Sequence, residues 1–126
     1  MSHWATVDTK ITDMSALAKA CEELGVELVE KGSCRGYYTP IQTAPFVIKL
    51  KGPYDVAVTP RDNGTCELTT DWWRGHVAGE VGENFSKLLQ LYGVHKSMAL
   101  ARARGLRATR FAKLDGRIVV KIQGIT

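Results

Sequence analysis

The sequence predicts an α+β fold in two layers, a mainly antiparallel sheet with two helices on one face. Three observations predict it. Apolar residues alternate with period two in several short runs, two longer runs repeat with the period of a helix, and Gly-Pro, Asn-Gly and Asp-Gly steps punctuate neighbouring strand-like runs. At 126 residues with 44% hydrophobic content the chain has the size of a single domain, residues 1–126, able to build a core without disulfides or metal. The expected order is β-α-β-β-β-β-α-β-β, with about six or seven strands.

Residues 3–11 read as a strand with His3, Ala5, Val7, Thr9 and Ile11 inward, which leaves Trp4 on the polar side. An indole there implies either a bulge that reverses the pleat or a partner for Trp4. Thr12 or Asp13 offers a helix N-cap, and Met14, Leu17, Ala18, Cys21 and Leu24 form an apolar stripe that Gly25 ends. Residues 26–31 return as a strand, followed by a Gly32 to Pro40 loop in which Arg35 between two glycines is able to approach an anion.

Residues 45–51 and 54–59 alternate about a Gly52-Pro53 turn, and Asn63-Gly64 opens the next strand as a hairpin. In that strand Cys66, Leu68, Thr70 and Trp72 share the core face, with Glu67, Thr69, Asp71 and Trp73 outside. The stretch from Glu67 to His76 divides the chain, since the strand-like runs and most acids precede it. Val81, Phe85, Leu88, Tyr92, His95 and Ala99 then line one helix, which Gly93 is placed to break or kink and Gly105 ends. Residues 106–113 and 118–123 form a closing hairpin through Asp115-Gly116.

Charge is segregated along the chain. Residues 1–86 carry eight Lys/Arg against twelve Asp/Glu, a net of −4, whereas residues 87–126 carry nine against Asp115 alone, a net of +8. No apolar run reaches a membrane-spanning length and the first residues lack the pattern of a secretory signal, so a cytoplasmic protein with no membrane association is expected. The odd set Cys21, Cys34 and Cys66, without Cys-x-x-Cys spacing, points to reduced thiols rather than disulfides or a zinc ribbon.

No catalytic signature emerges. His3, His76 and His95 lack the spacing that prepares a metal site, and Cys34 has Arg35 but no local histidine or oxyanion-hole turn to make it a nucleophile. Neither metal nor cofactor is expected. The basic third makes the better case, because Arg102, Arg104, Arg107 and Arg110 can flank one groove and Trp4, Trp73, Tyr37 and Tyr38 supply rings for base stacking.

Met1-Ser2-His3-Trp4, the Thr9-x-Ile11-x-Asp13 step into the first helix, Asp71-Trp72-Trp73, Tyr92-x-x-His95-Lys96 and the Gly105 and Asp115-Gly116 punctuation together resemble the small conserved hypothetical open-reading-frame family of plastids and cyanobacteria, also found in other bacteria. The resemblance runs nearly end to end. It implies a small soluble α/β protein of unknown function and no known enzymatic activity. The Gly32 to Pro40 loop and the strongly basic end fit the pattern less well.

The sequence therefore reads as a non-enzymatic binding module for a phosphate-bearing ligand, a nucleotide or nucleic acid. Its candidate ligand-binding residues are Trp73, His76, Tyr92, His95, Lys96, Arg102, Arg107 and Arg110. The alternative is a protein-docking accessory factor with an aromatic patch and a free sheet edge, and a small enzyme or metal-binding protein is less favoured. A homo-oligomer stays open.

Overall fold

The computed structural model describes residues 3–37 and 43–124. β1 (Trp4–Asp8) leads into α1 (Met14–Leu24), followed by β2 (Glu27–Ser33), β3 (Thr43–Lys49), β4 (Val56–Pro60) and β5 (Cys66–Asp71). A 3-10 turn at Trp73–Gly75, the one-turn helix α2 (Ala78–Val81) and a second 3-10 turn at Glu83–Phe85 precede α3 (Ser86–Ala103). β6 (Arg107–Ala112) and β7 (Ile118–Gln123) complete the α+β fold.

The seven strands of the described residues do not make one sheet. β1 to β5 form a five-stranded antiparallel sheet in the order β1-β5-β4-β3-β2, while β6 and β7 pair only with each other and pack on α3. Alternation specifies the face a side chain takes but not the strand it pairs with, so the split was not legible in it.

One buried cluster joins Leu17 and Cys21 of α1 and Leu88 and Tyr92 of α3 to Ile48, Val56, Val58 and Leu68 of the sheet. The register sets Ile48 opposite Val56, and Val58 opposite Leu68, so these sheet residues share a face. α1 forms as expected, because the Asp13 carboxylate caps it by accepting from Ala16 N at 3.1 Å and Gly25 closes it.

The second helical stretch begins later than its apolar stripe suggests. Gly82, Asn84 and Phe85 all have positive φ, at 85°, 52° and 62°, which breaks the helical path between Val81 and Ser86. Gly93, by contrast, lies inside α3 without interrupting it. Among the described residues no helix is long and apolar enough to cross a membrane.

Two hairpin turns close alike. At β4–β5, Arg61 N donates to Thr65 O at 2.7 Å, Gly64 N to Arg61 O at 3.0 Å, and Thr65 N to the Asn63 side chain at 3.0 Å. At β6–β7, Lys113 N donates to Arg117 O at 2.7 Å, Gly116 N to Lys113 O at 3.0 Å, and Arg117 N to the Asp115 carboxylate at 3.0 Å. Gly116, at φ 90°, takes the left-handed conformation that the turn requires.

β1 keeps its pleat through Trp4, and no bulge reverses it. Trp4 stays on the face away from the α1–α3 cluster and is covered by residue Gly36 of the same chain. His3 and Ala5, expected inward, are exposed, because β1 is an edge strand and only Val7 reaches the core.

Candidate functional site

The predicted site residues separate into three places. The first is the seam between α1 and α3. Tyr92 is buried, and its hydroxyl accepts from Thr12 N at 2.9 Å and Asp13 N at 3.1 Å, so it receives the chain just before α1. Lys96 Nζ lies 5.9 Å from the Tyr92 ring and donates to the Thr12 hydroxyl. Beside Lys96 in the chain, His95 Nε2 is 2.8 Å from Glu23 Oε1, and Arg110 of β6 holds the same carboxylate in a fork, with both nitrogen–oxygen distances 2.9 Å. The Arg110 hydrogen bond lowers the Glu23 carboxyl most, burial opposes it, and the His95 contact lowers it further, to about 2.

Tyr92, His95, Lys96 and Arg110 thus come together as the sequence suggests, but around Thr12 and Glu23. Each of the four makes a contact within the chain, and together they join α1, α3 and β6. The partner of Arg110, Glu23, stands 87 residues away, beyond any local pattern in the sequence.

The second place is the end of β5. The strand stops at Asp71, so the alternation that put Trp73 outside no longer governs it. Trp72 packs on Phe85 with ring centroids 4.8 Å apart, as its core assignment requires. Trp73 is half-buried, edge-on to His3 at 5.2 Å and Tyr37 at 5.7 Å, with the Arg74 guanidinium 5.6 Å from its ring. Asp71, expected outside, is fully buried, where it accepts from the backbone N–H of His3 at 2.7 Å, Tyr37 at 2.9 Å and Trp73 at 3.0 Å. His76 is exposed and stands edge-on to Tyr54 at 5.0 Å. Asp71 gathers three chain segments, and a buried carboxylate needs those donors.

Arg35, read as the anion-approaching residue of its loop, is likewise engaged. Its Nε and Nη2 donate to the two oxygens of buried Asp55 at 2.8 Å each, and Nη2 also reaches the Leu50 and Gly52 carbonyls at 3.1 and 2.9 Å. Burial alone would raise the Asp55 carboxyl, but the Arg35 side chain and the amides of Arg35 and Leu50 hold it below its ordinary value. Tyr38 to Pro40, the remainder of that loop, and Met1-Ser2 lie outside the described residues.

The third place is the β6–β7 ribbon with the end of α3. Opposed residues of an antiparallel pair share a face, so Arg107/Gln123, Thr109/Lys121 and Phe111/Val119 form one surface, and Ala108/Ile122, Arg110/Val120 and Ala112/Ile118 the other. Ile118 packs against the main core, so the second surface turns toward α3. The first is exposed along its length, Phe111 included. Arg102, Arg104, Arg107, Lys113 and Lys121 have no carboxylate partner among the described residues, and Arg117 pairs with Asp115 beside it in the turn.

Arg102 and Arg107 therefore remain exposed as expected, while Arg110 turns to the opposite surface of the ribbon. Lys121, Phe111 and Leu114 were missing from the predicted set. The period-two alternation of residues 107–112 places Phe111 with Arg107, and the Leu114-Asp115-Gly116 turn places Leu114 at the tip. Among the described residues no three His, Cys, Asp or Glu side chains gather to hold a metal ion. His3 and His76 lie against aromatic rings while His95 pairs with Glu23.

Residues 20–119, from within α1 to the first half of β7, match the family described as "Protein of unknown function (DUF1257)". The chain belongs to DUF1257. The matched span of this DUF1257 chain takes in Glu23, Asp71, α3 and β6, and leaves out His3, Thr12, Lys121 and Gln123. No curated protein and no solved structure matches it significantly.

Proposed function

We propose that this DUF1257 chain is a non-enzymatic binding module for nucleic acid, contacted through the exposed surface of the β6–β7 ribbon. One observation carries the reading: that surface lines up the cross-strand pairs Arg107/Gln123, Thr109/Lys121 and Phe111/Val119 in succession, with no carboxylate among them. Cations near an exposed ring suit phosphate contact combined with base stacking, and a two-stranded ribbon has the width that a DNA major groove admits. The ribbon surface is open rather than concave, which favours an extended polymer over a single nucleotide. Arg102 and Arg104 at the end of α3 extend the positive field beside it.

Fluorescence anisotropy with single-stranded and duplex oligonucleotides, at about 50 and about 200 mM salt, tests this. The double variant Arg107→Gln/Lys121→Gln is expected to bind more weakly and to show a salt slope smaller by about two. Phe111→Ala is expected to weaken single-strand binding by roughly 1 to 3 kcal/mol. If the unaltered chain binds neither oligonucleotide at low salt, the reading is wrong.

A second reading, docking of a protein partner, draws on the exposed Leu100, Leu114 and Ile122 near the same ribbon. Binding through those side chains would hold as salt rises, whereas phosphate contact weakens steeply.

A further inference from the structure

Among the described residues, four strand edges have no strand beside them: β1 and β2 at the two ends of the five-stranded sheet, and the outer sides of β6 and β7. An open edge is a template for another strand, and chains guard such edges with charge, proline or a bend. β2 carries Glu27, Glu30 and Lys31, and Lys31, at φ 48°, drops out of the ladder. β6 carries Arg107 and Arg110, and β7 carries Lys121. β1 has no comparable guard. Its Trp4-Ala5-Thr6-Val7 run is uncharged, and Asp8 at its end is paired with Arg61.

The hydrogen bonds to β5 fix what this edge presents. Trp72 N donates to His3 O at 3.0 Å and Thr9 N to Cys66 O at 3.1 Å, so in this register the odd-numbered residues of β1 turn their backbone groups toward β5. The N–H and C=O of Trp4, Thr6 and Asp8 therefore point outward, away from the sheet. Ala5 and Thr6 are exposed, and β5 is the element that packs along β1. Antiparallel pairing with the β1 of a second copy satisfies these outward groups in register. Thr6 then lies on the two-fold axis opposite its own copy, with Trp4 opposite Asp8 and Ala5 opposite Val7, so no like charges face each other. The same operation on β2 would set its middle residue, Glu30, against a second Glu30.

We infer that the outer edge of β1 is a self-association surface, where the β1 of a second copy pairs antiparallel about Thr6 and joins two five-stranded sheets into one. The contact is separate from the ribbon and independent of whether the ribbon binds nucleic acid.

Sedimentation equilibrium of the full chain, from about 1 μM to about 1 mM, is expected to show a monomer–dimer equilibrium. Thr6→Lys places two cations on the axis, so it should weaken the dimer roughly fivefold at low salt and less at high salt. Thr6→Pro removes an N–H that faces solvent in the monomer, a position at which an edge strand tolerates proline, and should abolish the dimer. Cross-linking reads the register directly. Two Thr6 Cα atoms paired across the axis lie about 5.5 Å apart, within the reach of a disulfide. Thr6→Cys is therefore expected to form a disulfide-linked dimer on mild oxidation, whereas Glu30→Cys on β2 is expected to stay a monomer. The inference is overturned if the unaltered chain sediments as a monomer throughout, which would leave the edge to a strand of another protein or to none. It is equally overturned if Thr6→Cys cross-links no faster than Glu30→Cys, or if Thr6→Pro dimerises as the unaltered chain does. The cross-linking comparison does not depend on the proline variant folding.

Discussion

Two carboxylates among the described residues are fully buried, and each is satisfied in a different way. Asp71 accepts three backbone amides, whereas Asp55 takes the Arg35 fork together with the amides of Arg35 and Leu50. Only Asp55 is buried, since the Arg35 side chain is 43% exposed, and Lys49 Nζ stands 3.5 Å from the same carboxylate. Arg35→Met leaves Asp55 with Lys49 and its two backbone amides and is expected to destabilise the chain by about 1 to 3 kcal/mol, read as a lower urea midpoint at unchanged slope. A variant whose midpoint matches the parent would show that the fork contributes nothing to the fold. Neither acid was legible as buried in the sequence. Asp71 lies on the nominally polar parity of β5, and its burial comes from His3 and Tyr37, which arrive from distant parts of the chain.

At the scale of elements, α1 was readable because its stripe, its Asp13 cap and its closing Gly25 agree locally. All the strands were readable from alternation and turn residues, with ends displaced by up to three residues, the most where β1 stops at Asp8 rather than Ile11. The break before α3 was not, because Asn84 and Phe85 take positive φ, and their sequence gives no sign of it. Nor was the joint that fixes α1, α3 and β6 to one another, since Glu23, His95 and Arg110 meet only in three dimensions. That joint has a pH signature. The Glu23 carboxyl is lowered from 4.5 to about 2, so its contribution is complete above 4.5 and is lost as pH falls toward about 2. Glu23→Gln should remove this part of the acid dependence and leave a flatter curve of stability against pH in that window. Parallel acid losses in the two chains would mean that the Glu23 carboxylate does not support the joint.

Across the whole molecule, the three cysteines report on cooperativity. Cys21, Cys34 and Cys66 are buried at separate points of the fold, and burial raises all three thiols, Cys21 and Cys34 to about 12. With Ellman's reagent near about pH 8 none is expected to react in the native chain, and all three should react once urea unfolds it. A thiol that reacts ahead of the others would mark a region that opens independently. The basic third was visible as a property of the chain, but its division into an engaged Arg110 and an open Arg107 and Lys121 required the register of the ribbon. The paired turns bear on that division. Arg61, at the β4–β5 turn, is held by Asp8 and Glu67, while Lys113, its counterpart beside the ribbon turn, has no acid partner among the described residues. The molecule thus carries an internal control, one backbone shape in an acidic copy and in a basic one, and a ligand that chooses the ribbon over the β4–β5 turn is responding to charge and not to shape.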